Sequence, residues 1–156
     1  MDFAFAEDQG YFTEVLCDGD ASALQRRCQN LFDFRDPLLK RREFDRCKQE
    51  IRDRHLRRYG PHCMLRYPGI CKNSPLVLDH FIPLSSNTLN KLLRKLRAKP
   101  GRKVPTQSFG SNHPDNLVLA CQRCNAYKKQ RVPDRALVLR VIAAKRGEHP
   151  ALHDRP

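Results

Sequence analysis

Two short apolar runs set the frame of this chain, Leu76-Val77-Leu78 and Asn116-Leu117-Val118-Leu119-Ala120, each bounded by turn formers. Runs of this length and β-prone composition predict strands, the first leading into Asp79 and His80 and ending at Pro83, the second returning to Cys121. Helical spacing surrounds them. Asp36-Pro37 is an N-cap acceptor followed by a proline at the first helical position, which predicts a helix over Leu38–Tyr59 that stops at Gly60-Pro61. Phe44, Cys47, Ile51 and His55 share one side of it, and Arg41, Arg42, Lys48, Arg52, Arg54, Arg57 and Arg58 cover the rest. A second helix is expected over Thr88–Ala98, capped by Ser86 or Asn87, with Leu89, Leu92, Leu93 and Leu96 on one face and Lys91, Arg94, Lys95 and Arg97 on the other. Pro100-Gly101-Arg102-Lys103 ends it. Cys124–Gln130 opens a helix carrying Asn125, Lys128 and Lys129, and Asp134–Arg146 reads as a last amphipathic packing helix. Residues 1–34 are the least patterned: scattered aromatics, the turn Asp18-Gly19-Asp20, then a short helix over Ala21–Phe34 with Leu24, Cys28, Leu31 and Phe32 on one side. They read as elements that pack onto something else.

Composition narrows the function. The 156 residues suit one domain, and 30 Lys+Arg against 17 Asp+Glu leave a net charge of +13. Such an excess is an electrostatic footprint for a phosphate backbone, although a merely solvated basic surface carries the same count. With 40% hydrophobic residues and no Trp the core is modest, so a loop-rich centre calls for a structural metal as a staple. No apolar run approaches the ~20 residues of a membrane span, and the N-terminus lacks the basic flank and apolar stretch of a signal peptide. A cytoplasmic protein is expected. Seven cysteines, an odd number, fit metal thiolates plus free thiols better than a disulfide framework.

The chemistry gathers between Cys63 and Lys129. Asp79 and His80 sit side by side after the first run, with Cys63 and Cys71 upstream and Cys121-Gln122-Arg123-Cys124 downstream. Seven residues separate Cys63 from Cys71, wider than a usual knuckle; Pro68-Gly69 can turn that loop, and His62 is an alternative ligand to Cys63. A potential base beside a potential metal carboxylate in a basic surround suggests phosphodiester cleavage.

Asp79-His80-Phe81-Ile82-Pro83-Leu84 and Asn116-Leu117-Val118-Leu119-Ala120-Cys121-Gln122-Arg123-Cys124-Asn125-Ala126-Tyr127-Lys128 together resemble the HNH endonucleases and their ββα-metal fold. The resemblance covers roughly residues 60–132. It implies His80 as the general base that takes a proton from water, and Asp79 as a ligand of a catalytic divalent ion. It implies Asn116 as the middle residue whose amide ties the loop and holds His80. Asn125 stands where many members carry a final histidine ligand; an amide oxygen there favours Mg²⁺ or Mn²⁺, and a helix-capping role is the plainer alternative. Cys63, Cys71, Cys121 and Cys124 match the structural zinc set of a subset of the family, a closed site expected to carry about one Zn²⁺.

The expected architecture is therefore α+β: a helical extension over 1–59, a small ββα-metal nuclease core over 60–132 stapled by a four-cysteine zinc site, and a C-terminal helix and tail over 133–156. The expected activity is metal-dependent hydrolysis of DNA, with Lys91, Arg94, Lys95, Arg97, Arg102, Lys103, Lys128, Lys129 and Arg131 gripping the backbone. The alternative is a zinc-stabilised nucleic-acid-binding module without catalysis, or a subunit of a larger defence or phage complex. A homodimer or larger assembly through the N-terminal helices fits either. His113 reads as a surface turn residue or a phosphate contact, and His55 as packing or capping within its helix.

Overall fold

The computed structural model describes residues 1–94, 103–129 and 133–147. At its centre β1 (Leu76–His80) and β2 (Leu117–Cys121) pair antiparallel, in register from Leu76↔Cys121 to His80↔Leu117. Every residue of β2 is buried, because one long helix and one short helix pack against the pair. That burial is why the run is continuously apolar rather than alternating.

The long helix is α3 (Pro37–Tyr59), numbered after two N-terminal helices. Asp36 starts it as the sequence predicts: its side chain accepts from the Leu38 and Leu39 N–H groups at 2.8 and 3.0 Å, leaving Pro37 at the position that needs no donor. Gly60, at φ 76°, ends it where a side chain would be strained. Arg52 donates to the Leu76 carbonyl at 3.3 Å, and His55 lies against the Leu117 carbonyl at 3.2 Å, so α3 grips both strands by their backbone.

The N-terminal third is more helical than its pattern indicates. α1 spans Ala6–Cys17 and α2 Ala21–Cys28, followed by a 3₁₀ turn, Gln29–Leu31. The helix expected over 21–34 stops at Cys28 because Phe32 leaves to form a bridge with Gly110. Phe12, Leu24, Phe32 and Phe44 belong to the same buried cluster as Leu78, Ile82, Leu117 and Val138, so this third shares one apolar core with the strand pair. Its aromatics interlock edge to face, Phe12 on Phe32 at 4.9 Å and Phe3 on Phe34 at 4.9 Å.

α4 is described over Asn87–Arg94, and the expected continuation to Ala98 lies outside the described residues. Arg94, expected on a phosphate-gripping face, is instead buried. It makes a bidentate pair with Asp8 (2.7 and 2.5 Å) and stacks 3.6 Å from the centre of the Phe5 ring. Both charges are out of water, and the two-point geometry is what makes that tolerable. The pair ties α1 to α4.

Between α4 and β2 the chain is laced to the segment after β1. Phe109 N–H donates to the Leu84 carbonyl and Gly110 N–H to that of Pro83, at 3.2 and 2.9 Å. A Cβ on Gly110 would overlap the Ile82 carbonyl oxygen, so the close approach requires glycine. After β2 come α5 (Gln122–Lys128), the short helix on the strand pair, and α6 (Arg135–Lys145), capped by Asp134 accepting from Leu137 N–H at 2.8 Å. Among the described residues no helix is long and apolar enough to cross a membrane.

Candidate metal centre and active site

The register places two chemical sites at opposite ends of the strand pair. At the Leu76–Cys121 end, the sulfurs of Cys63, Cys71, Cys121 and Cys124 lie within 4.8 Å of one another. Cys63 enters directly after α3, its N–H held by the Asn73 side chain at 2.7 Å, and the next N–H, of Met64, donates to the Leu119 carbonyl at 2.7 Å. The wide gap to Cys71 is closed by a turn in which the Tyr67 carbonyl accepts from Ile70 and Cys71 N–H, with Gly69 at φ 70°. Cys121 ends β2 and caps α5, its sulfur accepting from Cys124 N–H at 3.4 Å.

Cys63, not His62, belongs to this cluster. Four sulfurs on a tetrahedron with ~2.3 Å bonds stand ~3.8 Å apart, so the 4.0 Å between Cys71 and Cys121 is nearly the bound spacing already. Burial pushes the Cys71 thiol up to about 11, while burial at Cys121 is outweighed by hydrogen bonds from the Cys124 and Lys72 N–H groups, leaving it at about 7. The donor set fits a metal ion such as zinc, whose charge stabilises the thiolates that burial disfavours.

At the opposite end, His80 is buried to 7% exposure against the Phe44 ring, centroids 4.5 Å apart. Its Nε2 lies 2.9 Å from Asn112 Oδ1. The Asn112 amide is oriented by its other end, where Nδ2 donates to the Lys40 carbonyl at 2.8 Å. The oxygen therefore faces the ring, Nε2 carries the proton, and Nδ1 is left with the lone pair. Burial pulls the imidazole down to about 4, against the opposing pull of Asn112 and Asp79, so the ring is neutral at pH 7. Asn112 is the site residue that sequence reasoning does not reach. A loop asparagine among turn formers carries no sign of its partner 32 residues away.

Asn116 is fully buried and laces the loop together. Its Nδ2 donates to the Ile82 and Ser111 carbonyls at 2.9 and 2.8 Å, and its Oδ1 accepts from Ile82 N–H at 2.7 Å. Its own carbonyl accepts from Phe81 N–H at 2.7 Å. It touches His80 only through the backbone it fixes.

Lys128 departs from expectation. It is buried to 1% exposure, with Nζ donating to Asp79 Oδ2 at 2.8 Å and to the His80 carbonyl at 2.6 Å. It clamps β1 from α5 and does not face solvent. Asp79 stays partly open, its side chain 22% exposed. Asn125 lies one turn before Lys128, on the same side of α5, half-buried. Among the described residues no second cluster of three metal-binding side chains accompanies Asp79. One carboxylate and one amide are too few to hold an ion unless it keeps waters or takes further ligands from outside the protein.

No protein-family model, no curated protein and no solved structure matches this chain.

Of the remaining expected phosphate contacts, Lys91, Lys103 and Lys129 are exposed, while Lys95, Arg97, Arg102 and Arg131 lie outside the described residues. Arg41 and Arg42, early in α3, are exposed as well, and Arg41 is close enough to His80 to bear on the imidazole charge. His113 is a surface turn residue whose Nδ1 accepts from Asp115 N–H at 3.2 Å. His55 is buried, with both ring nitrogens against backbone carbonyls, those of Ile51, Pro114 and Leu117.

Proposed function

We propose that this protein is a metal-dependent endonuclease of the HNH kind, with a ββα-metal core, acting on DNA. The observation that carries the reading is the end of the strand pair, where a neutral, oriented imidazole stands beside a partly exposed carboxylate with a basic helix behind it. His80 Nδ1 takes the proton of an attacking water, and the imidazolium so formed is stabilised by Asn112 on its other nitrogen. A divalent ion held by Asp79 and Asn125 would neutralise charge on the scissile phosphate and the leaving 3′ oxygen. Lys128 holds Asp79 in place and shares its charge, while Arg41, Arg42, Lys91, Lys103 and Lys129 supply sequence-independent contacts to the backbone. The four cysteines hold a zinc that shapes the fold and, with no open position, takes no part in the reaction.

One observation favours a second reading, a nucleic-acid-binding module without catalysis. Asp79 already has an ammonium partner in Lys128, so its charge does not demand a metal. Supercoiled plasmid incubated with Mg²⁺, Mn²⁺ or EDTA separates the two. Nicking that needs the divalent ion and is lost in Asp79→Ala supports the endonuclease. Salt-sensitive binding with no nicking under any ion supports the binding module.

A further inference from the structure

Three cysteines lie outside the metal centre, and two of them face each other. Cys17 closes α1 and Cys28 closes α2, with their sulfurs 3.7 Å apart. A disulfide bond is ~2.05 Å, so closing the pair brings the sulfurs about 1.7 Å nearer. Both residues are half-buried and line a groove of about 340 Å³ between α2 and α6. Apolar side chains line the groove, and Arg27, Lys145 and Arg146 border it with positive charge against the carboxylate of Asp115. The groove thus admits a small reagent and favours an anionic one.

We infer that Cys17 and Cys28 are a redox modification site, closing to a reversible disulfide by exchange with a small anionic disulfide of the glutathione disulfide class. The Cys17 thiol loses its proton to solvent and attacks one sulfur of the reagent. The reagent's S–S bond breaks and its first half leaves as a thiolate that takes up a proton. Cys28 then loses its proton and attacks the Cys17 sulfur of the mixed disulfide, which expels the second half. The protein gives up two electrons and two protons, and the reagent leaves as two thiols. The exchange runs equally with the roles reversed, because the two sulfurs face each other and either can resolve a mixed disulfide on the other.

Cys47 is an internal control. It stands alone on α3, half-buried, with its sulfur 3.4 Å from the Glu43 carbonyl, and has no second thiol with which to close. The bridge would also matter beyond α1 and α2. Cys28 runs directly into Gln29–Leu31, where the Asn30 and Leu31 carbonyls hold Ser111, the residue before Asn112. The inference does not depend on the endonuclease reading.

The test is to treat the full, zinc-bound chain with glutathione disulfide, quench in acid, and map tryptic peptides without reduction. Cleavage after Arg26 and Arg27 separates the two cysteines, so a bridge joins peptides that otherwise part. The expected product is a Cys17–Cys28 linked pair about 2 Da lighter than its two thiol peptides, undone by dithiothreitol. In Cys28→Ser the resolving thiol is gone, and Cys17 retains glutathione. A wild-type map with no linked pair, after Cys47 or the four metal-centre cysteines have reacted, overturns the inference. So does equal retention of glutathione on Cys17 in wild type and Cys28→Ser.

Discussion

The two ends of the strand pair are built on different principles. At one end four sulfurs from the post-α3 loop, the end of β2 and the start of α5 converge, and one metal ion would complete them. At the other, His80, Asp79 and Asn116 are set by many separate hydrogen bonds from Asn112, Lys128 and backbone of the 81–85 and 108–116 segments. The first depends on a single cooperative event, metal binding. The second divides its stability among partners, and so holds an imidazole and a partly exposed carboxylate in place through many contacts. The metal end should therefore fail all at once and the His80 end by increments.

The largest effect is expected at the metal end. Cys124→Ser removes one of four ligands, and metal content by elemental analysis should fall from about one zinc toward none, with a stability loss of about 4 kcal/mol or more in chemical denaturation. A variant that keeps both its zinc and its stability would break the contrast. Next is Asn116→Ala, which orphans one buried N–H and two carbonyls and should cost about 3 kcal/mol while zinc content stays unchanged. Lys128→Met should cost less, about 2 kcal/mol, because the Asp79 side chain it leaves behind is still 22% exposed. If Asp79 is a metal ligand, millimolar Mg²⁺ should raise the melting temperature of Lys128→Met more than that of wild type, since the ion then meets a carboxylate without its ammonium.

The smallest effect sharpens how the loop beside His80 is held. Lys40 is buried, with Nζ donating to the Gly110 carbonyl at 2.7 Å and to that of Asp33, and burial lowers it to about 8 from 10.5. The unfolded chain then binds more protons between pH 8 and 10.5, so this lysine's contribution rises as pH climbs through that window. Chemical denaturation at about pH 7.5 and about pH 10 should show the stability difference between wild type and Lys40→Met moving toward wild type at the higher pH. The shift should be on the order of 1 kcal/mol; a difference that does not change with pH would refute the assignment.

The same contrast explains what the sequence made readable. The Cys121-Gln122-Arg123-Cys124 knuckle, the short strands and the Asp36-Pro37 start of α3 are local signals, fixed by spacing within a few residues, and each lies close to where the pattern puts it. The Asp8–Arg94 pair spans 86 residues, Asp79–Lys128 spans 49 and His80–Asn112 spans 32. Nothing in composition or periodicity chooses such partners. A lysine or arginine on a basic helix reads as solvent-facing until the fold supplies a buried partner, which is why the pattern puts Arg94 and Lys128 on the surface. α1 is hard to see for a local reason: its N-cap, Phe5, offers no side-chain acceptor.

The most direct measurement is the single-turnover nicking rate of plasmid DNA in Mg²⁺ for wild type and His80→Ala, at matched zinc content and matched DNA binding. Removing a general base is expected to slow the chemical step by roughly 10²-fold or more. A His80→Ala variant that nicks at the wild-type rate would contradict the account.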